Sequence, residues 1–181
     1  MSHLFSIQQM NYLKKLDMNN VFILNASPII LLGKAGLLQT VGPLAELWLL
    51  PEGVVTEVES KRQIAPYVAE LEYHSKVSRE PVQVTHTLVA SWDLGKGESE
   101  VLTLAMKRGT NSRAVLDDLQ ARKCAKLLNI GLIGSVGLLV MAKRFGLIKT
   151  VKPEINKLIE IGLHIDPNLL AKVYQKIGEQ E

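Results

Sequence analysis

Short apolar runs, punctuated by glycine, proline and acidic residues, alternate along most of the chain with segments of helical period. The first, Val21–Leu24, has four apolar residues in succession, the pattern of a strand buried on both faces. It stops at Asn25-Ala26-Ser27-Pro28, where Ser27 is placed to cap a helix and Pro28 suits its first turn. A short helix over Ile29–Lys34 follows, ended by Gly33 and Gly36. Leu37–Glu46 gives another helical stretch, interrupted at Gly42-Pro43. Leu47–Leu50 is a second apolar strand, and Pro51 opens a helix carrying Val54, Val55 and Val58.

The middle of the chain is more polar. Ala65–Val77 reads as a helix with Pro66 near its start, and Pro81–Thr87 alternates Val82 and Val84 with polar residues, as a half-exposed strand does. Asp93–Gly97 is a loop. Glu98–Lys107 is then a helix carrying Val101, Leu102, Leu104 and Ala105, broken by Gly109-Thr110-Asn111. Ala114–Leu116 is a buried strand that halts at Asp117-Asp118; Leu119–Leu128 is an amphipathic helix and Ile130–Ile133 the next strand. Ser135 caps a helix running to about Phe145, closed by Gly146. A further helix follows Pro153, and a last one covers about Asn168–Ile177, capped by Asp166 with Pro167 at its start. Strands separated by helices predict an α/β fold, a mostly parallel sheet with helices on both faces.

Residues 1–20 differ in texture, with Gln, Asn and Ser around a weak Leu/Ile pattern, and read as an N-terminal extension, flexible or docked as a short helix. The remainder, 21–181, has no repeat or linker and is expected to form one domain. Of the 181 residues 47% are hydrophobic but only 5% aromatic, so the core is aliphatic and a surface that binds single strands mainly by ring stacking is excluded. A net charge of +3 permits a polyanionic partner without demanding one. Paired cations such as Lys61-Arg62, Lys107-Arg108 and Arg122-Lys123 are read mostly as solvated helix faces, with phosphate contacts the minority reading. The single cysteine, Cys124, falls in the apolar phase of a helix and is expected to be a buried thiol. No apolar run reaches membrane-spanning length and the N-terminus lacks secretory-signal order, so a cytoplasmic protein is expected.

Ligands of parallel sheets bind beyond the carboxyl ends of the strands. Asn25 directly follows the first strand, and Asp117 and Asp118 follow the strand Ala114–Leu116. Glu98 opens a helix after a glycine-containing loop, and Glu57 lies one or two turns into the helix after Pro51. Each has an ordinary alternative: a helix cap for Asp117-Asp118, a first-turn acid for Glu98, an exposed charge for Glu57, a turn residue for Asn25. Brought together, they suit Mg²⁺ or Mn²⁺, which keep several waters and need few protein ligands.

In this setting the motifs form an ordered series. Val21-Phe22-Ile23-Leu24-Asn25-Ala26-Ser27-Pro28, Pro51-Glu52-Gly53-Val54-Val55-Thr56-Glu57-Val58 and Leu94-Gly95-Lys96-Gly97-Glu98-Ser99-Glu100 come first. Val115-Leu116-Asp117-Asp118-Leu119-Gln120-Ala121-Arg122 and Ile133-Gly134-Ser135-Val136-Gly137 follow, then Lys143-Arg144-Phe145-Gly146. Together they resemble PIN domains, in the branch related to toxin ribonucleases of type II toxin–antitoxin systems. The resemblance implies an α/β/α sandwich around the sheet, with Asn25, Glu57, Glu98, Asp117 and Asp118 as an acidic metal cluster and Glu57, Glu98, Asp117 and Asp118 as its catalytic members. It implies Mg²⁺ or Mn²⁺ as cofactor, single-stranded RNA as substrate, 5′-phosphate and 3′-hydroxyl ends, and Ser27 and Ser135 as supporting hydroxyls that cap or orient phosphate. A cognate antitoxin and a homodimer, formed through the apolar helices near Leu37–Leu47, are its implied partners. Asn25 departs from the aspartate that usually begins the cluster, so the alternative is a catalytically weak or inactive PIN-like module that binds RNA or protein. A nucleotide-binding protein is disfavoured, because Gly95-Lys96-Gly97 is not a phosphate loop.

Overall fold

The computed structural model describes residues 20–61 and 63–179. The N-terminal extension expected over residues 1–20 lies, Asn20 aside, outside the described residues. Five parallel strands form one sheet in the order β3-β2-β1-β4-β5. They are β1 (Val21–Leu24), β2 (Leu47–Pro51), β3 (Lys76–Glu80), β4 (Ser112–Val115) and β5 (Leu132–Ile133). Phe22, Ile23 and Leu24 are all buried, as are Trp48, Leu49 and Leu50, and Ala114, Val115 and Leu116. Consecutive buried residues in an alternating strand require cover on both faces, which the helices supply.

Those helices are α1 (Ala26–Lys34), α2 (Leu38–Val41), α3 (Glu52–Lys61), α4 (Ala65–Glu72), α5 (Thr87–Ala90), α6 (Lys96–Arg108), α7 (Leu119–Leu127), α8 (Ser135–Arg144), α9 (Lys152–Ile161) and α10 (Pro167–Ile177). The longest, α6, packs on β1, β2 and β4 and against α3 and α7, while α1 packs with α2, α3, α8 and α9. Cys124 is buried, as its place in α7 predicts. Asp166 caps α10 by accepting the Leu169 N–H at 2.9 Å, with Pro167 opening the helix. No helix among the described residues is long and apolar enough to cross a membrane.

The third strand is not where the alternation of Val82 and Val84 places it. Helix α4 stops at Glu72, and the strand is Lys76–Glu80, in a segment expected to end a helix. The hydroxyl of Ser75 donates to the carbonyls of Gly42 (2.7 Å) and Ala45 (2.6 Å), and the Lys76 N–H donates to Glu46 (3.3 Å), steering the chain onto the edge of β2. An edge strand with both faces largely open has no apolar alternation to display, and its charges protect the edge. Val84 is 79% exposed, outside any strand. The apolar side chains of Leu37, Leu38, Val41 and Leu44, in the segment expected to offer a dimer surface, lie in the core of the chain.

The C-terminal helix is fastened by a part-buried carboxylate. Glu179 accepts from Lys143 Nζ (2.6 Å) and from the backbone N–H groups of Val151 and Lys152, both at 2.8 Å. Burial alone would raise its pKa; the lysine and the two amides outweigh that and hold it below the usual glutamate range. A carboxyl depressed in the folded state stabilises the fold above the unfolded-state pKa, and that contribution is lost as pH falls through the folded value. Thermal melts at neutral and acid pH are therefore expected to show a Tm deficit for Glu179→Gln at neutral pH that narrows on acidification.

Candidate metal centre

The strand order changes direction at β1, with β2 on one side and β4 on the other, so the switch point where parallel sheets form their ligand crevice lies beyond the ends of β1 and β4. The two ends are tied by the Asn25 N–H, which donates to the Val115 carbonyl at 3.2 Å. Asn25 sits at the N-cap of α1 but its side chain caps nothing. The residue is 3% exposed, and its Oδ1 has no hydrogen-bond partner. A buried amide oxygen without a donor costs roughly 1–3 kcal/mol. Helix α6 approaches this oxygen at Gly97. A methyl group there would stand 3.1 Å from Glu57 Oε2, 3.2 Å from Asn25 Oδ1 and 3.2 Å from Val54 Cγ2. Glycine thus admits the helix and leaves two oxygens, from the β1–α1 junction and α3, facing one small space.

Glu98, the next residue, reaches back to accept the Gly95 N–H at 2.9 Å. Its carboxyl is pushed above the ordinary range, first by burial and then by the charges of Asp118 and Glu57; the Gly95 amide and Lys61 oppose the shift. The charges of Glu57 and Asp118, far from Glu98 in sequence, thus both reach it. Glu57 Oε1 pairs with Lys61 Nζ at 2.6 Å, and Asp118 Oδ1 caps α7 through the Ala121 N–H at 2.8 Å. Asp117 is held differently, accepting from the backbone N–H (2.8 Å) and the hydroxyl (2.5 Å) of Ser135. Beside it Arg122 donates to the Leu116 carbonyl at 2.8 Å, and a methyl on Gly134 would lie 2.9 Å from both Asp117 Oδ1 and Arg122 Nη1.

Two sequence expectations change here. Ser27 does not cap: α1 begins one residue earlier, at Ala26, with Asn25 in the extended N-cap position, and Ser27 is exposed in the first turn. Ser135 does not cap either. It is the first residue of α8, with Gly134 as N-cap, and its buried hydroxyl is turned to Asp117.

Glu100 had no role in the sequence reading. It is 5% exposed, on the face of α6 that also carries Gly97 and Leu104, and accepts the Gly53 N–H of α3 at 2.6 Å. An acidic residue in phase with the apolar positions of Glu98–Lys107 was the available signal. A methyl on Gly53 would stand 2.7 Å from the Glu100 carboxylate. Since that carboxylate is buried and bonded, Gly53→Ala is expected to cost about 1–3 kcal/mol in urea unfolding.

A match to a PIN-domain family model spans residues 21–179, the stretch that holds the whole sheet and all five cluster residues. The chain belongs to the PIN-domain family. No curated protein and no solved structure matches the chain significantly. PIN domains are generally nucleases and typically use divalent metals. Among the described residues, no three His, Cys, Asp or Glu side chains are grouped closely enough to hold an ion unaided. Each carboxylate has a partner of its own: Glu57 has Lys61, Glu98 the Gly95 N–H, Asp117 Ser135 and Asp118 the Ala121 N–H. The donor set still suits a hard cation that keeps its waters and takes few protein ligands. The orphaned Asn25 oxygen beside Glu57 is the feature of this PIN domain that a cation would satisfy.

Proposed function

We propose that the protein is a Mg²⁺- or Mn²⁺-dependent endoribonuclease that cleaves single-stranded RNA at the crevice beyond β1 and β4, in the manner of the toxin ribonucleases its motifs resemble. The observation that carries this reading is the convergence of Asn25 Oδ1 and Glu57 Oε2 at Gly97, with Glu98 and Asp118 alongside. A bound divalent ion would supply Lewis-acid charge at the scissile phosphodiester and activate the attacking water. Asn25 and Glu57 would hold it, and Glu98 and Asp118 would complete the shell directly or through water. Asp117, fixed at both oxygens by Ser135, orients the β4 end of the site. Water attacks phosphorus in line, the P–O3′ bond breaks, and the strands end in a 5′-phosphate and a 3′-hydroxyl.

Asn25 is neutral, so the site holds its ion with one negative charge fewer than an aspartate would bring. Replacing it is expected to tighten Mn²⁺ binding by about tenfold, because affinity of oxygen sites follows ligand charge. Calorimetric Mn²⁺ titration of wild type and Asn25→Asp checks this. Binding seen only in Asn25→Asp would favour a catalytically weak PIN-like module that binds RNA or protein. A homodimer and a cognate antitoxin complete the proposal, and light scattering with and without a co-expressed neighbour protein tests both.

A further inference from the structure

Lys61 lies in the last turn of α3, one turn beyond Glu57, with its ammonium 2.6 Å from Glu57 Oε1. The other oxygen of the same carboxylate faces Gly97 and the buried Asn25 amide. One carboxylate thus looks two ways: outward to a lysine on a flexible stem, inward to an acceptor that the lysine does not reach. The neighbouring cations are placed differently. Arg122 is fixed on the Leu116 carbonyl, and Lys96 leans toward Glu100 at 3.9 Å. Lys61 has a candidate metal ligand as its partner.

Resting on the metal-centre reading above, we propose that Lys61 is a tethered counter-ion, which holds Glu57 in the metal-free protein and passes to an RNA phosphate when a divalent ion enters. Three physical arguments support the exchange. Lys61 is 58% exposed, and an exposed i,i+4 ion pair is weak, so a doubly charged ion can displace it. Once an ion is held at the inner oxygen, two cations on one carboxylate repel, which drives the ammonium outward. A lysine ammonium on a four-carbon stem, released at the mouth of the crevice, is a suitable point charge for a substrate phosphate.

The test uses the full chain as wild type, Lys61→Met, Lys61→Arg and Lys126→Met, the last removing an exposed charge on α7 away from Glu57. Mn²⁺ affinity is read from free-ion electron paramagnetic resonance. RNA affinity is read at saturating Mn²⁺ from the initial amplitude of stopped-flow anisotropy of a labelled single-stranded oligoribonucleotide, before cleavage. Lys61→Met is expected to bind Mn²⁺ about fivefold more tightly than wild type, since the competing charge is gone. It is expected to bind the oligonucleotide about fivefold more weakly, since a phosphate contact is lost. Lys61→Arg should recover the RNA affinity, and Lys126→Met should match wild type in Mn²⁺ affinity. Unchanged Mn²⁺ affinity in Lys61→Met overturns the proposal, and so does tighter Mn²⁺ binding with unweakened RNA binding. Absence of Mn²⁺ binding in every variant and in Asn25→Asp overturns the metal centre itself, and the exchange with it.

Discussion

Replacing Glu57 and Glu98 together with glutamine is expected to reduce Mn²⁺-dependent cleavage of single-stranded RNA by about a thousandfold or more, the scale of losing charge stabilisation at a developing transition state. The double variant is also expected to fold. Glutamine keeps a carbonyl oxygen that can accept the Gly95 N–H, and neutralising position 98 relieves repulsion from Asp118. The Glu57–Lys61 pair is exposed, so its loss costs little. A fluorescence-quenched oligoribonucleotide assay gives the rate and a thermal melt gives the fold. Wild-type rates in a folded double variant would remove these carboxylates from the chemistry.

Asp117→Ala is expected to have a large effect of a different kind, on stability and activity together. Both Asp117 oxygens are bonded to Ser135, and alanine leaves that hydroxyl and the first N–H of α8 without their acceptor. Hydrogen bonds to a charged group contribute about 1.5–3 kcal/mol each, so a loss of about 2–4 kcal/mol is expected, with a Tm lower by about 5–10 °C. Activity should fall as well, because the loop after β4 also carries Asp118. Ser135→Ala should show a smaller loss of stability, since the backbone N–H still donates to Asp117. Urea denaturation and the cleavage assay, run side by side, separate the two effects. An Asp117→Ala protein as stable as wild type would contradict the bracing role.

Much of the fold was legible because the inner strands are buried on both faces. Val21–Leu24, Leu47–Leu50 and Ala114–Leu116 announce themselves as unbroken apolar runs, and the structure places strands within a residue or two of each. Lys76–Glu80 was not legible for the opposite reason: a polar edge strand is defined by its pairing with β2 and by the turn at Ser75, neither of which leaves an apolar period. Apolarity in Leu37–Leu47 does not say which face is covered: Leu37, Leu38, Val41 and Leu44 fill the core of the chain itself. For the site, the rule of strand ends selects Asn25, Asp117 and Asp118 as candidates, and the charges of Glu57 and Asp118 both act on Glu98. The roles of Gly97 and Gly53 depend on how closely α3 and α6 approach, a tertiary distance that no local pattern encodes. Ser135 was noticed as a cap, whereas its partner is a carboxylate eighteen residues earlier.

The most direct test of the central claim is a crystal structure of the protein grown with Mn²⁺ and measured at the manganese absorption edge. An anomalous peak is expected in the crevice beyond β1 and β4, within coordination distance of Asn25 Oδ1 and Glu57, with Glu98 or Asp118 reaching it directly or through water. A crevice without a peak at millimolar Mn²⁺, with Glu57 still on Lys61 and Glu98 still on Gly95, would contradict it.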